Sequence, residues 1–115
     1  MNKSEKINII LEILGCENAN TIKACKSWLN KNVNNCKLIM AKDDYEQLQL
    51  EIENDKHYIE LFKNVNIGTD NEIKEIINLI ENNSKSKQFN EDYSEYIISE
   101  NGIISYDNLS LFILK

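Results

Sequence analysis

The residues most suited to covalent chemistry are one histidine and three cysteines. His57 is the single histidine, and Cys16, Cys25 and Cys36 lie in the first third of the chain. A cysteine nucleophile needs a base and an orienting group beside it, and a zinc site needs about four cysteine or histidine ligands at recognisable spacing. The spacing of these residues indicates neither arrangement. We therefore expect a protein that is not an enzyme and that holds no metal or other cofactor.

Adjacent carboxylates are the second set of groups with chemical potential. Asp43-Asp44 and Glu91-Asp92 are such pairs, but acid–base catalysis requires carboxylates in a cleft that shifts their pKa values. Calcium loops need a fixed spacing of acids around a glycine, and no segment of this chain has it. Phosphate loops need clustered glycines, whereas the three glycines of this chain stand far apart. The carboxylates are therefore expected to act as surface charge.

The charge is unevenly distributed along the chain. Thirteen lysines and nineteen acids give a net charge of −6, and arginine is absent. Residues 1–42 carry seven lysines and three acids, whereas residues 43–115 carry six lysines and sixteen acids. Without guanidinium groups the chain has no bidentate fork for phosphate or guanine, and its acidic part repels nucleic acid and membranes. A basic protein surface is the favoured partner, nucleic acid is disfavoured and no membrane association is expected.

The central stretch 43–65 carries the densest charge. Its apolar residues recur at helical spacing, with Asp43 as the expected N-cap, and the helix is either continuous or broken at Asn54-Asp55. Acids recur along both of its flanks, and tyrosines beside acids elsewhere are candidate anchors for a basic partner. The predicted partner-binding residues are Asp44, Glu46, Glu51, Glu53, Glu60, Tyr93 and Tyr106.

Two helices are expected in the basic N-terminal segment. The first is expected from Ser4, as its N-cap, to Leu14, and the second from Asn18 or Asn20 to about Lys31. A helical pair with outward lysine and asparagine side chains is also typical of helix-turn-helix proteins, so a DNA-binding regulator is the alternative function. Its predicted DNA-binding residues are Lys23, Lys26 and Asn30.

The remaining elements indicate a mixed fold. Thr69 and Glu72 form a capping box for a further helix, residues 83–88 are expected to form a loop, and Asn101-Gly102 indicates a hairpin turn. The fold is predicted as α+β: about four helices, placed on one face of the sheet, followed by a C-terminal three-stranded antiparallel meander. The expected strands are 93–99, 103–106 and 109–114, with 36–41 as a candidate fourth strand.

One domain is expected to span residues 1–115, basic and helical in 1–42 and acidic in 43–115. The odd, widely spaced cysteines predict a reducing, cytoplasmic setting, and neither a signal peptide nor a membrane span is expected.

The predicted function is that of a small acidic binding protein, an inhibitor or adaptor that docks on a basic protein surface. Two roles fit: a viral anti-defence inhibitor of a nucleic-acid-handling enzyme, or an immunity protein that neutralises a toxin. A homodimer that sequesters a small molecule at its subunit interface is the third hypothesis.

Overall fold

The computed structural model describes residues 2–52, 65–107 and 110–114. These residues form four α-helices and six β-strands, and a 3-10 helix, Val33–Asn35, connects the second helix to the first strand. In chain order the elements are α1 (Lys3–Leu14), α2 (Ala19–Asn32), β1 (Cys36–Ala41), α3 (Lys42–Ile52), β2 (Asn66–Gly68), α4 (Asp70–Glu81), β3 (Lys87–Asn90), β4 (Glu95–Ser99), β5 (Gly102–Ser105) and β6 (Ser110–Leu114).

The six strands form one mixed sheet in the order β2-β1-β6-β5-β4-β3. β1 and β2 run parallel, and every other neighbouring pair is antiparallel. The predicted C-terminal meander is confirmed as β4-β5-β6, and the candidate strand 36–41 joins it as β1, pairing with β6. The fold is therefore α+β, as the sequence predicts.

Helices cover both faces of this sheet. Ile98 and Ile103 pack with the buried residues of α1 and α2, whereas Ile97 and Ile104 pack with those of α4 on the opposite face. Successive residues of a strand point to opposite faces, so these strands contribute to two separate cores. The expectation that the helices lie on one face was wrong. The adjacent buried isoleucines of β4 and β5 are typical of strands covered on both sides.

Local capping signals set most helix ends. Gly15 ends α1 with a φ of 67°, the left-handed conformation that glycine adopts without strain. Thr69 caps α4, and its hydroxyl accepts a hydrogen bond from the main-chain N–H of Glu72 at 3.2 Å. The cap of α1 is Asn2 rather than Ser4, and Asp43 lies in the first turn of α3 instead of preceding it.

The structure also differs from the sequence prediction at two strands and one turn. β3 begins inside the expected loop 83–88, and β2 was not predicted. Both strands are short, and Phe89 is the one residue of β3 that is not exposed. The β4–β5 hairpin turns at Glu100-Asn101, so Gly102 is the first residue of β5 rather than a turn residue. The predicted break at Asn54-Asp55 lies outside the described residues.

Candidate functional site

Two helices begin side by side where the parallel strands end. Ala41 pairs with Gly68 across β1 and β2, so α3 and α4, which start immediately afterwards, leave the sheet at the same end. Their first turns carry acids, which the partial positive charge of a helix N-terminus stabilises. These acids are Asp43 and Asp44 in α3 and Asp70 and Glu72 in α4.

Two acidic turns from the antiparallel part of the sheet reach the same end. β6 is antiparallel to both β1 and β5, so β5 finishes where β1 finishes, and β4 starts there. The chain therefore enters β4 and leaves β5 at this end, and the main-chain N–H of Tyr106 donates to the carbonyl of Glu95 at 3.0 Å. We call this region the acidic end: Asp43, Asp44, Glu46, Asp70, Glu72, Asp92 and Asp107, all exposed except the half-buried Asp44.

The acidic end includes part of the predicted partner-binding set. Asp44 and Glu46 lie in α3, and Tyr93, 95% exposed, follows Asp92 in the turn before β4. Sequence reasoning missed Asp70 because the strand pairing that places the start of α4 at the same end of the sheet as the start of α3 has no local signal. Glu51 lies in α3. Glu53, Glu60 and His57 lie outside the described residues.

Tyr106 follows β5 at the acidic end, but its side chain bonds to another residue of the protein. It is half-buried against the core under α4, and its hydroxyl donates a hydrogen bond to the Glu81 carboxylate. Burial raises the pKa of the Tyr106 hydroxyl, and the hydrogen bond and negative charge of Glu81 raise it further. Tyr93 is therefore the tyrosine of this pair whose ring faces solvent.

Glu91, beside the acidic end, has a structural role. Its two carboxylate oxygens accept hydrogen bonds from the main-chain N–H groups of Glu17 at 2.9 Å and Asn18 at 3.0 Å, at the start of α2. Burial acts to raise the pKa of the Glu91 carboxyl, but these bonds and one with Thr21 outweigh it, so the pKa lies below its usual value. Asn18, the N-cap residue of α2, makes no side-chain cap bond, but this distant carboxylate holds its main chain and that of Glu17 where the helix begins.

The predicted DNA-binding residues share the outward side of α2. Lys23, Lys26 and Asn30 are all exposed. Sequence reasoning did not anticipate the neighbouring groove, which lies between α2 and strands β3 and β4 and has a volume of about 690 Å³. Its lining includes Trp28, Phe89, Lys31, Lys85 and Lys87.

Two polar groups that line this groove, the Trp28 indole and the Lys85 ammonium, already have partners within the protein. The indole N–H of Trp28 donates to the carbonyl of Glu100 at 3.2 Å, and the Lys85 ammonium lies 2.7 Å from the Glu100 carboxylate. Lys31 and Lys87 are exposed at its margins. The groove lies at the start of β3 and the end of β4, so it is at the opposite end of the strands from the acidic end.

The three cysteines lie in or beside the two N-terminal helices and differ in burial. Cys25 is fully buried in α2, whereas Cys16, which follows the glycine at the end of α1, is half-buried. Cys36 lies beyond the other end of α2, and its thiol donates to the carbonyl of Val33 at 3.6 Å. No disulfide joins these three cysteines, all of which lie in the described range 2–52.

Two further features were sought in the part of the chain that is described. Within residues 2–52, 65–107 and 110–114, no three histidine, cysteine or acidic side chains are grouped as a metal site would require. No helix within those same ranges has the length and apolar character needed to cross a membrane. No protein family, curated protein or solved structure matches this chain. A function must therefore be argued from its own surfaces.

Proposed function

We propose that this protein is a cytoplasmic inhibitor or adaptor that binds a basic protein surface through its acidic end. The observation that carries the proposal is a shared location: acids from four separate segments of the chain lie at the same end of the sheet, which also carries an almost fully exposed tyrosine. Tyrosine is enriched among residues that dominate binding energy. Clustered charge of one sign also accelerates association with an oppositely charged surface.

Among the described residues, one lysine forms an ion pair within this region. Lys42 lies 4.0 Å from Glu46, but both side chains are largely exposed, and a pair of this kind interacts weakly in water. Water screens the pair, so the carboxylate remains available to a partner that displaces solvent. A lysine-rich groove of the type that holds nucleic acid would present the complementary charge. This is the chemistry expected of an anti-defence inhibitor or of a toxin-neutralising immunity protein.

The test compares two variants with the same change in net charge. The first neutralises the acidic end with Glu46→Gln, Asp70→Asn and Asp107→Asn. The second adds three lysines at the opposite end of the strands with Asn34→Lys, Asn35→Lys and Ser84→Lys; all six positions are exposed. Each variant changes the net charge by three, so any difference between them reports position rather than total charge. Circular dichroism and urea unfolding establish that both retain the fold.

The partner is captured from nuclease-treated lysate of the native host, identified by mass spectrometry, produced in pure form and titrated against each variant. We expect a basic partner whose affinity falls about 10–100-fold for the acidic-end variant, mainly through slower association, and changes little for the lysine variant. Equal affinities for both variants, or a partner that is not basic, would refute the proposal.

Binding of DNA through α2 is the second candidate, supported by the exposure of Lys23, Lys26 and Asn30 on one side of the helix. It predicts retention of duplex DNA that weakens steeply with salt and is lost in a Lys23→Glu, Lys26→Glu variant. In that case the acidic-end variant, which carries less negative charge, would bind DNA more tightly than the unmodified protein. This opposite response separates the two functions.

A further inference from the structure

The outer edge of the sheet at β3 forms one long groove with α2. Among the described residues, β3 is the last strand in the sheet order, and the groove lined by Trp28 and Phe89 lies between this strand and the helix. Past Phe89 it continues into a second hollow of about 420 Å³, lined by the start of α2 and the rest of β3. Phe89 lines both hollows, and we call them together the edge groove.

Only half of the main-chain groups of β3 bond to β4. The N–H of Glu91 donates to the carbonyl of Ser94 at 2.8 Å, so these two residues are a hydrogen-bonded pair of the antiparallel ladder. Such pairs alternate with pairs that are not hydrogen-bonded. The N–H and C=O groups of Asn90 and Gln88 therefore point away from β4, towards the edge groove.

The ladder on the other side of β4 gives the same register. The N–H of Tyr106 donates to the carbonyl of Glu95 at 3.0 Å, so Glu95 bonds to β5 and the next residue, Tyr96, bonds to β3. Tyr96 pairs with Phe89, which leaves the residues on either side of Phe89 for the open edge. An edge that offers main-chain donors and acceptors is a template for a further strand.

The edge groove has room and an apolar floor for such a strand. On the side of α2 its middle is lined by the small side chains Ala24 and Ser27, which leave space at the strand spacing of about 4.8 Å. Trp28, Phe89 and Ile98 form its apolar lining. Because side chains alternate along a strand, every second side chain of an added segment would face this floor.

Positive charge is gathered at one end of the edge groove. Lys31 lies in the last turn of α2, and Lys85 and Lys87 lie where β3 begins. Lys85 is paired with Glu100 at 2.7 Å, whereas Lys31 and Lys87 have no ion-pair partner among the described residues. The Glu91 carboxylate follows the other end of β3. A complementary ligand therefore carries negative charge at the lysine end only.

We propose that the edge groove binds an extended acidic peptide segment of another protein, which adds to β3 as a further strand. Its main chain bonds to that of Gln88 and Asn90, an apolar side chain lies over Phe89, and its acids lie beside Lys31 and Lys87. None of the residues that line the edge groove belongs to the acidic end, so this site is separate from the one proposed above.

Two other occupants fit the edge groove less well. Single-stranded nucleic acid is held by lysines together with open aromatic faces, but Trp28 is only 7% exposed and offers no such face. A second copy of the chain could pair through its own β3, but this strand contains no acid and would not complement the lysines.

The experiment selects a ligand and then maps how its main chain is held. Random decapeptides displayed on phage are selected on the immobilised full chain, and enriched peptides are synthesised with a fluorescein label for anisotropy titration. We expect acids clustered towards one end of the peptide and an apolar residue further along. N-methylation of one peptide nitrogen at a time removes one main-chain donor. The affinity should therefore fall about 3–10-fold at every second residue and change little at the residues between.

Two charge-reversal variants locate the peptide on the protein. Lys31→Glu with Lys87→Glu alters the lysine end of the edge groove, and Lys23→Glu with Lys26→Glu makes the same change in net charge on the outward side of α2. All four lysines are exposed, and circular dichroism checks that both variants fold. We expect the affinity to fall about 10-fold or more in the first variant and less than about 3-fold in the second.

Four results would overturn the proposal: no enriched peptide, enriched peptides without acids, an N-methylation profile without a two-residue period, or equal affinities for the two variants. Stronger competition by oligothymidylate than by unlabelled peptide would assign the groove to nucleic acid instead. The variant that neutralises the acidic end should bind the peptide at least as tightly as the unmodified protein, so the two proposals can fail independently.

Discussion

Removing the Glu91 carboxylate should destabilise the whole fold, although the residue lies in a turn close to the surface. The Glu91→Ala variant removes the acceptor for two main-chain N–H groups immediately before α2, those of Glu17 and of the N-cap residue Asn18. It also removes the contact that joins the α1–α2 turn to the segment between β3 and β4. Loss of a helix cap typically costs about 0.5–2 kcal/mol, and loss of a negative charge at a helix N-terminus about 0.3–1 kcal/mol.

Water partly replaces the lost acceptor because the site is open to solvent, so we expect the free energy of unfolding to fall by about 1–2 kcal/mol in total. For a domain of this size the midpoint of urea unfolding should fall by about 0.5–1 M. Fluorescence of Trp28, the only tryptophan, reports the transition. Asp92→Ala is the control, since Asp92 is the exposed neighbour of Glu91.

The effect should depend on pH in a defined direction. The pKa of the Glu91 carboxyl lies below its usual value in the folded state, so its stabilising contribution is complete above the unfolded-state pKa of about 4.3 and is lost as the pH falls through the folded-state pKa. The difference between Glu91→Ala and the unmodified protein should shrink over that acidic range. A difference that stays constant there, or a control that loses as much stability, would refute the role of Glu91 as a charged cap.

Two further substitutions test the packing of the sheet. Gly68→Val should lower the free energy of unfolding by about 1–3 kcal/mol, because a Cβ at this position would lie 3.0 Å from Ile39 and 3.1 Å from Ile73. An unchanged urea midpoint would contradict the close approach of these two side chains to Gly68. Ser105→Ala should leave stability unchanged or raise it by up to about 1 kcal/mol, since the buried hydroxyl has no hydrogen-bond partner among the described residues and alanine removes an unpaired polar group. A clear loss of stability in thermal unfolding would show that this hydroxyl is bonded.

Features encoded by a few neighbouring residues were predictable from the sequence. Thr69 with Glu72 marked the start of α4, Gly15 marked the end of α1, and the hairpin between β4 and β5 was anticipated one residue away from its true position. Each rests on a backbone preference or a hydrogen bond that is local in the chain.

Features that depend on distant pairing were not predictable. β3 is a polar edge strand in which Phe89 alone is partly buried, so it lacks the alternation that identifies a strand. The acidic end exists because β2 pairs beside β1 and because β5 finishes at the same end, neither of which leaves a local pattern.

Among the described residues, the acidic end and the groove lysines lie at opposite ends of the strands, so their charges form a dipole along the sheet. Strands of about five residues separate the two regions by about 17 Å, with Lys31 and Lys87 exposed at the far end. The field of the proposed basic partner would exert a torque on this dipole and turn the acidic end towards it before any contact forms. Lysines that never touch the partner would in this way shape the encounter, because they set how strongly the molecule is aligned on approach.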